Sequence, residues 1–424
     1  MSNKTRPGVI AEGGLTTALS SRRWWIVWTL FFSTVVNYIN RQTLSILAPV
    51  ITKQFHLTHS QLSHIFGAFQ LSYAATWFLG GIFLDIVGTR LGLSIAVVWW
   101  SLTSIFTTFA NSAATFESLR FLLGIGEGLN WPGASKAVAE WFAPHERSVA
   151  VAIFDSGSSV GGALAAIAVP WITFRFGWRS AFTFSGLLGF VWLVCWLLVY
   201  PRHLRGESKL STGTRVRNWR GWLTALKRRE TWAIVIGRSL TDPVWWFYVF
   251  WLPQYLSDAR GFSLQEIAAF AWIPFVAADI GNFLGGFVSR ALIRRGMAVL
   301  SARKWVCVVS CLPMLAGIPA ALVSNPLSAL AYICVALLGY ACWSTMGLTL
   351  PSDLFKSEVV GSVTGLSGLG AGLISTLFTL LVGSLADHAS YIPAFIVAAL
   401  APILATVSVV TLIRARTDEA MGTL

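Results

Sequence analysis

The sequence predicts an all-α integral membrane protein of twelve transmembrane helices arranged as two six-helix halves. Three observations carry this. The chain of 424 residues is 55% hydrophobic and 12% charged, with a mean hydropathy of +0.67. A soluble chain carries about twice that share of charge. Apolar runs of about 20 residues, the length that crosses a hydrocarbon core, recur from one end to the other. The basic residues behind the net charge of +13 gather in a few short polar stretches. That distribution sets orientation in a membrane and does not point to nucleic acid.

The crossings lie at about 24–48, 60–84, 91–110, 115–138, 148–172 and 178–200, then at about 231–257, 264–290, 302–323, 326–350, 358–385 and 391–413. Between the two sets, Arg202, Arg205, Lys209, Arg215, Arg217, Arg220, Lys227, Arg228 and Arg229 outnumber Glu207 and Glu230. The expected organisation is a tail over 1–23, a six-helix bundle over 24–200, a basic linker over 201–230, a second bundle over 231–413 and a tail over 414–424. Arg22, Arg23, Arg290, Arg294, Arg295, Arg303, Lys304, Arg414 and Arg416 fall on the linker's side of the membrane. Both termini and the linker are therefore expected in the cytoplasm, with the chain a multi-pass protein of the cell (inner) membrane. Met1 to Arg23 has no apolar core, so no cleaved signal peptide is expected and the first span acts as the insertion signal.

The stretch with the strongest chemical content is Arg120-Phe-Leu-Leu-Gly-Ile-Gly-Glu127-Gly-Leu-Asn130. It puts a fixed cation and an acid inside a crossing. Seven residues is about two helical turns, so Arg120 and Glu127 share a face, and Asn130 continues it. Each ionised group at mid-bilayer costs roughly 2.5–3.5 kcal/mol on insertion scales, so the pair marks a polar pathway or an ion pair that locks two helices. In the first span Asn37, Tyr38, Asn40 and Arg41 follow closely, with Asn37 and Arg41 on one face. Arg41 offers planar, bidentate donors suited to a carboxylate, or it snorkels to an interface.

Other polar residues extend the candidate pathway. Span two supplies Tyr73 with Gln70 about a turn before it, and span five Asp155 with Ser158 and Ser159. Span eight supplies Asp279 with Asn282. Arg238 and Asp242, four apart in span seven, either line the path or satisfy one another. Trp245, Trp246, Trp272 and Trp343 are able to stack on a sugar-like ring, although interfacial belts account for many of the 21 Trp.

His56, His59 and His64 cluster between spans one and two without further ligands, so they read as a solvated loop and not as a zinc site. Cys195, Cys307, Cys311, Cys334 and Cys342 lie in apolar segments and read as small buried hydrophobes. The sequence carries no P-loop, which argues against an ATP-driven pump. It also lacks a metal cluster or nucleophile–base pair, so neither enzymatic activity nor a metal or cofactor is expected.

Two patterns point to internal duplication. Glu146-Arg-Ser-Val-Ala-Val-Ala-Ile-Phe-Asp155-Ser-Gly157-Ser-Ser-Val-Gly161-Gly162 has a weak counterpart in Glu358-Val-Val-Gly-Ser-Val-Thr-Gly365-Leu-Ser-Gly368-Leu-Gly-Ala-Gly372. Facing repeats around a central site are the plan of many secondary transporters. Small-residue pairs Gly124/Gly128, Gly157/Gly161, Gly281/Gly285, Gly361/Gly365 and Gly368/Gly372 are expected at close helix contacts. Between spans two and three, Gly81-Ile-Phe-Leu-Asp85-Ile-Val-Gly88-Thr-Arg90 combines turn-forming glycines with two charges able to bond neighbouring helix ends.

That loop resembles the signature of the major facilitator superfamily, with a degraded copy at Gly286-Phe-Val-Ser-Arg290. The resemblance implies the major facilitator fold and a gating role for Gly81, Asp85, Gly88 and Arg90. Tyr38-Ile-Asn-Arg41 and the Arg120…Glu127 pair resemble the superfamily's anion:cation symporter branch. Arg238-Ser-Leu-Thr-Asp-Pro-Val-Trp-Trp and the stretch Gly261–Asp279 look most like bacterial hexuronate transporters. The resemblance implies proton symport of a sugar acid such as galacturonate or glucuronate by a monomeric carrier. Aldonates, aldarates and sodium coupling stand as alternatives, with a non-transporting sensor as a further one. Arg41 then holds the substrate carboxylate and Tyr38 and Tyr73 contact hydroxyls, with Asn37, Gln70, Ser158, Trp245 and Trp343 as further candidate contacts. Glu127 is the proton-coupling acid and Arg120 its modulator. Galactonate-type members place an acid just before the first-span arginine. Here Asn40 stands there, leaving Asp155 or Asp279 as candidates for any second proton.

Overall fold

A computed structural model of the chain describes residues 10–142, 146–201, 226–355 and 357–413. All regular structure among them is helical. The helices are α1 (Ile10–Phe55), α2 (His59–Val87), α3 (Thr89–Thr107), α4 (Ala113–Glu127), α5 (Asn130–Trp141), α6 (Arg147–Phe176), α7 (Trp178–Val199), α8 (Arg229–Arg260), α9 (Leu264–Phe270), α10 (Ile273–Arg294), α11 (Val299–Met314), α12 (Gly317–Leu322), α13 (Pro326–Leu354), α14 (Ser357–His388) and α15 (Ile392–Leu412). Three crossings are broken in two: α4–α5, α9–α10 and α11–α12. Each break lies a few residues before a proline. Pro132, Pro274 and Pro319 have no N–H for the carbonyl four residues back, at Gly128, Phe270 and Leu315. At the first break the Leu129 N–H turns instead to Gly126, at 3.3 Å.

Pairing each broken helix gives twelve crossings. Nine are long and apolar enough to span a membrane by length and composition. The other three, α1, α4–α5 and α8, carry Arg41, Arg120 with Glu127, and Arg238 with Asp242. In α1 the uncharged polar residues Asn37, Asn40 and Gln42 dilute the hydropathy alongside Arg41. Most of the basic linker and both outer tail stretches lie outside the described residues.

Within each half, helix ends are braced together on the face where α1 begins and α15 ends, here the terminal face. Arg22 Nε donates to the Val199 carbonyl at 3.0 Å, and Lys304 Nζ donates to that of Val410 at 3.1 Å. Gly88, with φ of 86°, ends α2 and starts α3 in one residue, a backbone region that side chains rarely enter.

Small residues set the closest contacts. A Cβ on Gly157 or Gly161 would sit 2.6 Å from the Phe31 or Val35 carbonyl oxygen of α1, and Gly281 and Gly285 abut the α13 backbone in the same way. Because the obstruction is backbone, Gly161→Val is expected to cost about 1–3 kcal/mol. A melting temperature several degrees below wild type in detergent checks it. The fourth expected contact does not form: Gly361 faces open space and Gly365 has only Phe78, at 3.6 Å.

That gap reports the overall arrangement. Helices α2 and α14 pack together at the face opposite the termini, where Gly383 lies against Ser63 and the His59 carbonyl. They still touch at mid-height, at Ala74 and Gly372, yet Gly81 and Gly361 near the terminal face have no neighbour. Gly81 therefore makes no close helix contact. The first and last six crossings close on the opposite face and part toward the terminal face.

Candidate functional site

The break after α4 makes Glu127 the last residue of that helix. Gly124 and Gly128 press α4 against the Phe69 and Tyr73 backbone of α2, which turns Glu127 toward α1. There Glu127 Oε2 accepts from Arg41 Nε at 3.1 Å, and Nη2 lies 3.1 Å from the same oxygen as an ion pair. The two side chains are 0% and 1% exposed. Asn37, one turn before Arg41, accepts from its Nη2 at 3.0 Å and fixes the guanidinium plane.

Arg120 does not ion-pair with Glu127 as their shared face suggested. Seven residues rise about 10 Å along a helix, too far for these side chains to meet. Arg120 Nη1 instead donates to the Arg41 carbonyl at 3.3 Å, while its Nε and Nη2, and Glu127 Oε1, have no hydrogen-bond partner. Such orphaned buried groups are costly unless water or ligand reaches them in another state.

Rings enclose the Arg41 guanidinium: Tyr38 at 4.5 Å, Tyr73 at 4.7 Å, Phe69 at 5.2 Å and Trp246 at 5.3 Å. Trp246 belongs to α8, so the last six crossings supply one wall of a cage around a cation of the first six. A desolvated cation over such rings gains about 2 kcal/mol. Tyr38 and Tyr73 were expected here; Phe69 and Trp246 were not expected around Arg41.

Beyond the cage the cleft continues. Trp131 packs edge-on to Tyr38 and stacks on Trp77, and its Nε1 donates to Asp155 at 3.0 Å. Trp245 faces the Tyr38 hydroxyl and stacks on Tyr340. Ser159 donates to Asp279 at 2.6 Å, joining α6 to α10. Neither Asp155 nor Asp279 has a cation within 4 Å among the described residues. The hydroxyl that makes this link is Ser159, not Ser158, which bonds the Asp155 carbonyl of its own helix at 2.7 Å. Arg238 pairs with Asp242 at 2.7 Å and reaches Ser367 at 3.2 Å.

One expectation needs correcting. Trp343 is buried in the packing of the last six crossings and donates to Thr406 at 2.8 Å. Three residues earlier on α13, Tyr340 takes the cleft position. Gln70 is buried with neither amide atom bonded. Asn40 points away from Glu127 and donates to the Ser185 carbonyl of α7 at 3.2 Å. Asn130 likewise braces α1, bonding Ser33 and Thr34.

At the terminal face Asp85 meets Lys136 at 2.6 Å, and Arg90 donates to the Leu197 carbonyl at 2.7 Å. Lys136 is a partner that the loop motif did not reveal. At the opposite face His59 is not in a solvated loop. Its ring lies 2.8 Å from both Asp258 and Asp387. Cys195 is exposed rather than buried.

Comparison with known proteins places this geometry. The family model described as Major Facilitator Superfamily matches residues 30–378. The chain is 32% identical over 416 residues to a hexuronate transporter of Escherichia coli (strain K12), covering 92% of this chain and 94% of that one. It is 34% identical over 281 residues to a galacturonate transporter of Dickeya chrysanthemi, covering 63% and 81%. The solved D-xylose-proton symporter superposes with a TM-score of 0.74 at 16% identity, over 92% of this chain and 98% of that one.

Proposed function

Since the chain belongs to the major facilitator superfamily, whose members are transporters and not enzymes, we propose that it imports a sugar-acid monoanion, a hexuronate such as galacturonate or glucuronate, by proton symport. The names of its relatives support the cargo class. One observation carries the coupling: the guanidinium best suited to a carboxylate is already held by an internal one, Glu127, at 3.1 Å.

Cargo and Glu127 compete for the same donors. When Glu127 takes a proton it gives up its claim on Arg41, and the incoming carboxylate replaces it. In either state Arg41 faces one negative group. Cargo with an ionised Glu127 would crowd two anions on one guanidinium in a low-dielectric site, an arrangement the protein does not reorient. Arg120, bonded to the Arg41 backbone, tunes the pair. Tyr38 and Tyr73 swing from the cage to meet cargo hydroxyls, while Trp131 and Trp245 flank the ring.

The halves then rock, closing the terminal face and opening the opposite one. In this reading the terminal face is cytoplasmic, the membrane is the cell's inner one, and the carrier works as a monomer. An aldonate fits the same site. An aldarate dianion fits less well, because its second carboxylate comes toward the uncompensated Asp155 and Asp279.

Purified protein in proteoliposomes tests this. Labelled galacturonate uptake should rise with an acid outside and respond little to membrane voltage, since one proton with one anion moves no net charge. Uptake driven by a sodium gradient and indifferent to pH would overturn the coupling, and uptake of aldarates in place of uronates would overturn the cargo.

A further inference from the structure

The opposite face is joined through one imidazole. His59, the first residue of α2, lies with Nε2 2.8 Å from Asp258 Oδ2 on α8 and Nδ1 2.8 Å from Asp387 Oδ1 on α14. Both carboxylates are held in place. Asp387 also accepts from the backbone N–H groups of His59 and Ser60, each at 2.8 Å, and from the Ser60 hydroxyl at 2.6 Å. Asp258 also accepts from the Tyr391 hydroxyl at 2.9 Å and from Gln254 at 3.0 Å. The His59 side chain is 28% exposed, so water reaches it.

Neutral imidazole carries one N–H and one lone pair. With a carboxylate oxygen at each ring nitrogen, the neutral form sets a lone pair against an anion; the cation donates to both. We infer that His59 is a second proton-binding site: as an imidazolium it latches α2 to α8 and α14 and holds the opposite face shut, and losing its proton releases that face.

The surrounding charges agree with the sign. Asp258, Asp387 and the Tyr391 hydroxyl face the ring from the last six crossings. Arg260 turns away to Tyr255 and the Ala320 carbonyl, and His388 turns to the Ser384 carbonyl of its own helix. His56 and Lys53 at the end of α1 make no ion pair within 4 Å to either carboxylate among the described residues. Without its proton the latch is two carboxylates around a neutral ring. Acid therefore closes the opposite face and alkali opens it. This inference assumes nothing about the cargo or about Glu127.

The test separates the latch from the core acid by working in full-length Glu127→Gln protein with its native cysteines replaced. Spin labels at Asn111, between α3 and α4, and at Ser324, between α12 and α13, report the separation across the opposite face. From about pH 5 to about pH 9, a range spanning ordinary imidazole titration, the open-to-closed ratio should rise at least about tenfold. His59→Gln should flatten that dependence. His59→Lys, a cation throughout the range, should hold the face closed. A ratio that ignores pH with His59 present, or a His59→Gln or His59→Lys protein that keeps the original pH profile, overturns the latch.

Discussion

Glu127→Gln is expected to abolish the response of uptake to a pH gradient while leaving exchange of labelled for unlabelled cargo intact. The amide keeps the shape of a protonated carboxyl and still offers an oxygen to Arg41, but it no longer holds the guanidinium as an anion. Cargo then binds at every pH. On the proposed coupling, binding to the unaltered protein takes up one proton wherever Glu127 is ionised in the empty site. The apparent Kd should therefore rise about tenfold for each pH unit above that titration. The variant's Kd should be flat. Calorimetry across a pH series reads both slopes, and counterflow in proteoliposomes reads the exchange. Loss of uptake and exchange together would leave the acid a structural role.

Arg41→Ala is expected to weaken cargo binding by at least about a hundredfold, since it removes charge-assisted bonds worth roughly 1.5–3 kcal/mol each. It also strands Glu127 in the interior, and breaking a buried pair this way costs about 3–5 kcal/mol of stability. A double variant separates the effects. Arg41→Ala with Glu127→Gln removes both charges, so thermal stability should largely return while binding does not. Unchanged affinity in the double variant would move the carboxylate to Arg120 or Arg238. Arg41→Lys should fall between, because an ammonium keeps the charge but lacks the planar fork that spans Glu127 and Asn37.

The fold was legible because membrane crossings announce themselves by length and hydropathy, and their even number brings the chain's ends to one face. Within one helix, spacing was also a sound guide: Asn37, Tyr38 and Arg41 do share a cluster. Between helices it was not. Seven residues put Arg120 and Glu127 on one face, but only the approach of the α1 and α4 side chains in three dimensions could reveal that Arg41 takes the acid. Tyr340 and Trp343 sit a turn apart on α13, and which one faces the cleft is decided by neighbours that lie elsewhere in the chain. His59 is the extreme case, since its partners stand 199 and 328 residues away. The helix breaks were partly within reach. Pro132, Pro274 and Pro319 each follow one within a few residues, but Pro49, Pro170, Pro243, Pro253, Pro351 and Pro402 interrupt no helix, so proline alone narrows the choice without making it.

The first of those breaks frees α5 to behave as a rigid arm. Its near end is hinged beside the acid, and about 9 Å along it Lys136 grips Asp85 in the last turn of α2. Tilting the arm would tug on both places at once. On the proposed coupling, a protonation event deep in the bilayer and the mouth of the protein would share one mechanical part, and stiffening the hinge would silence their conversation without touching either end.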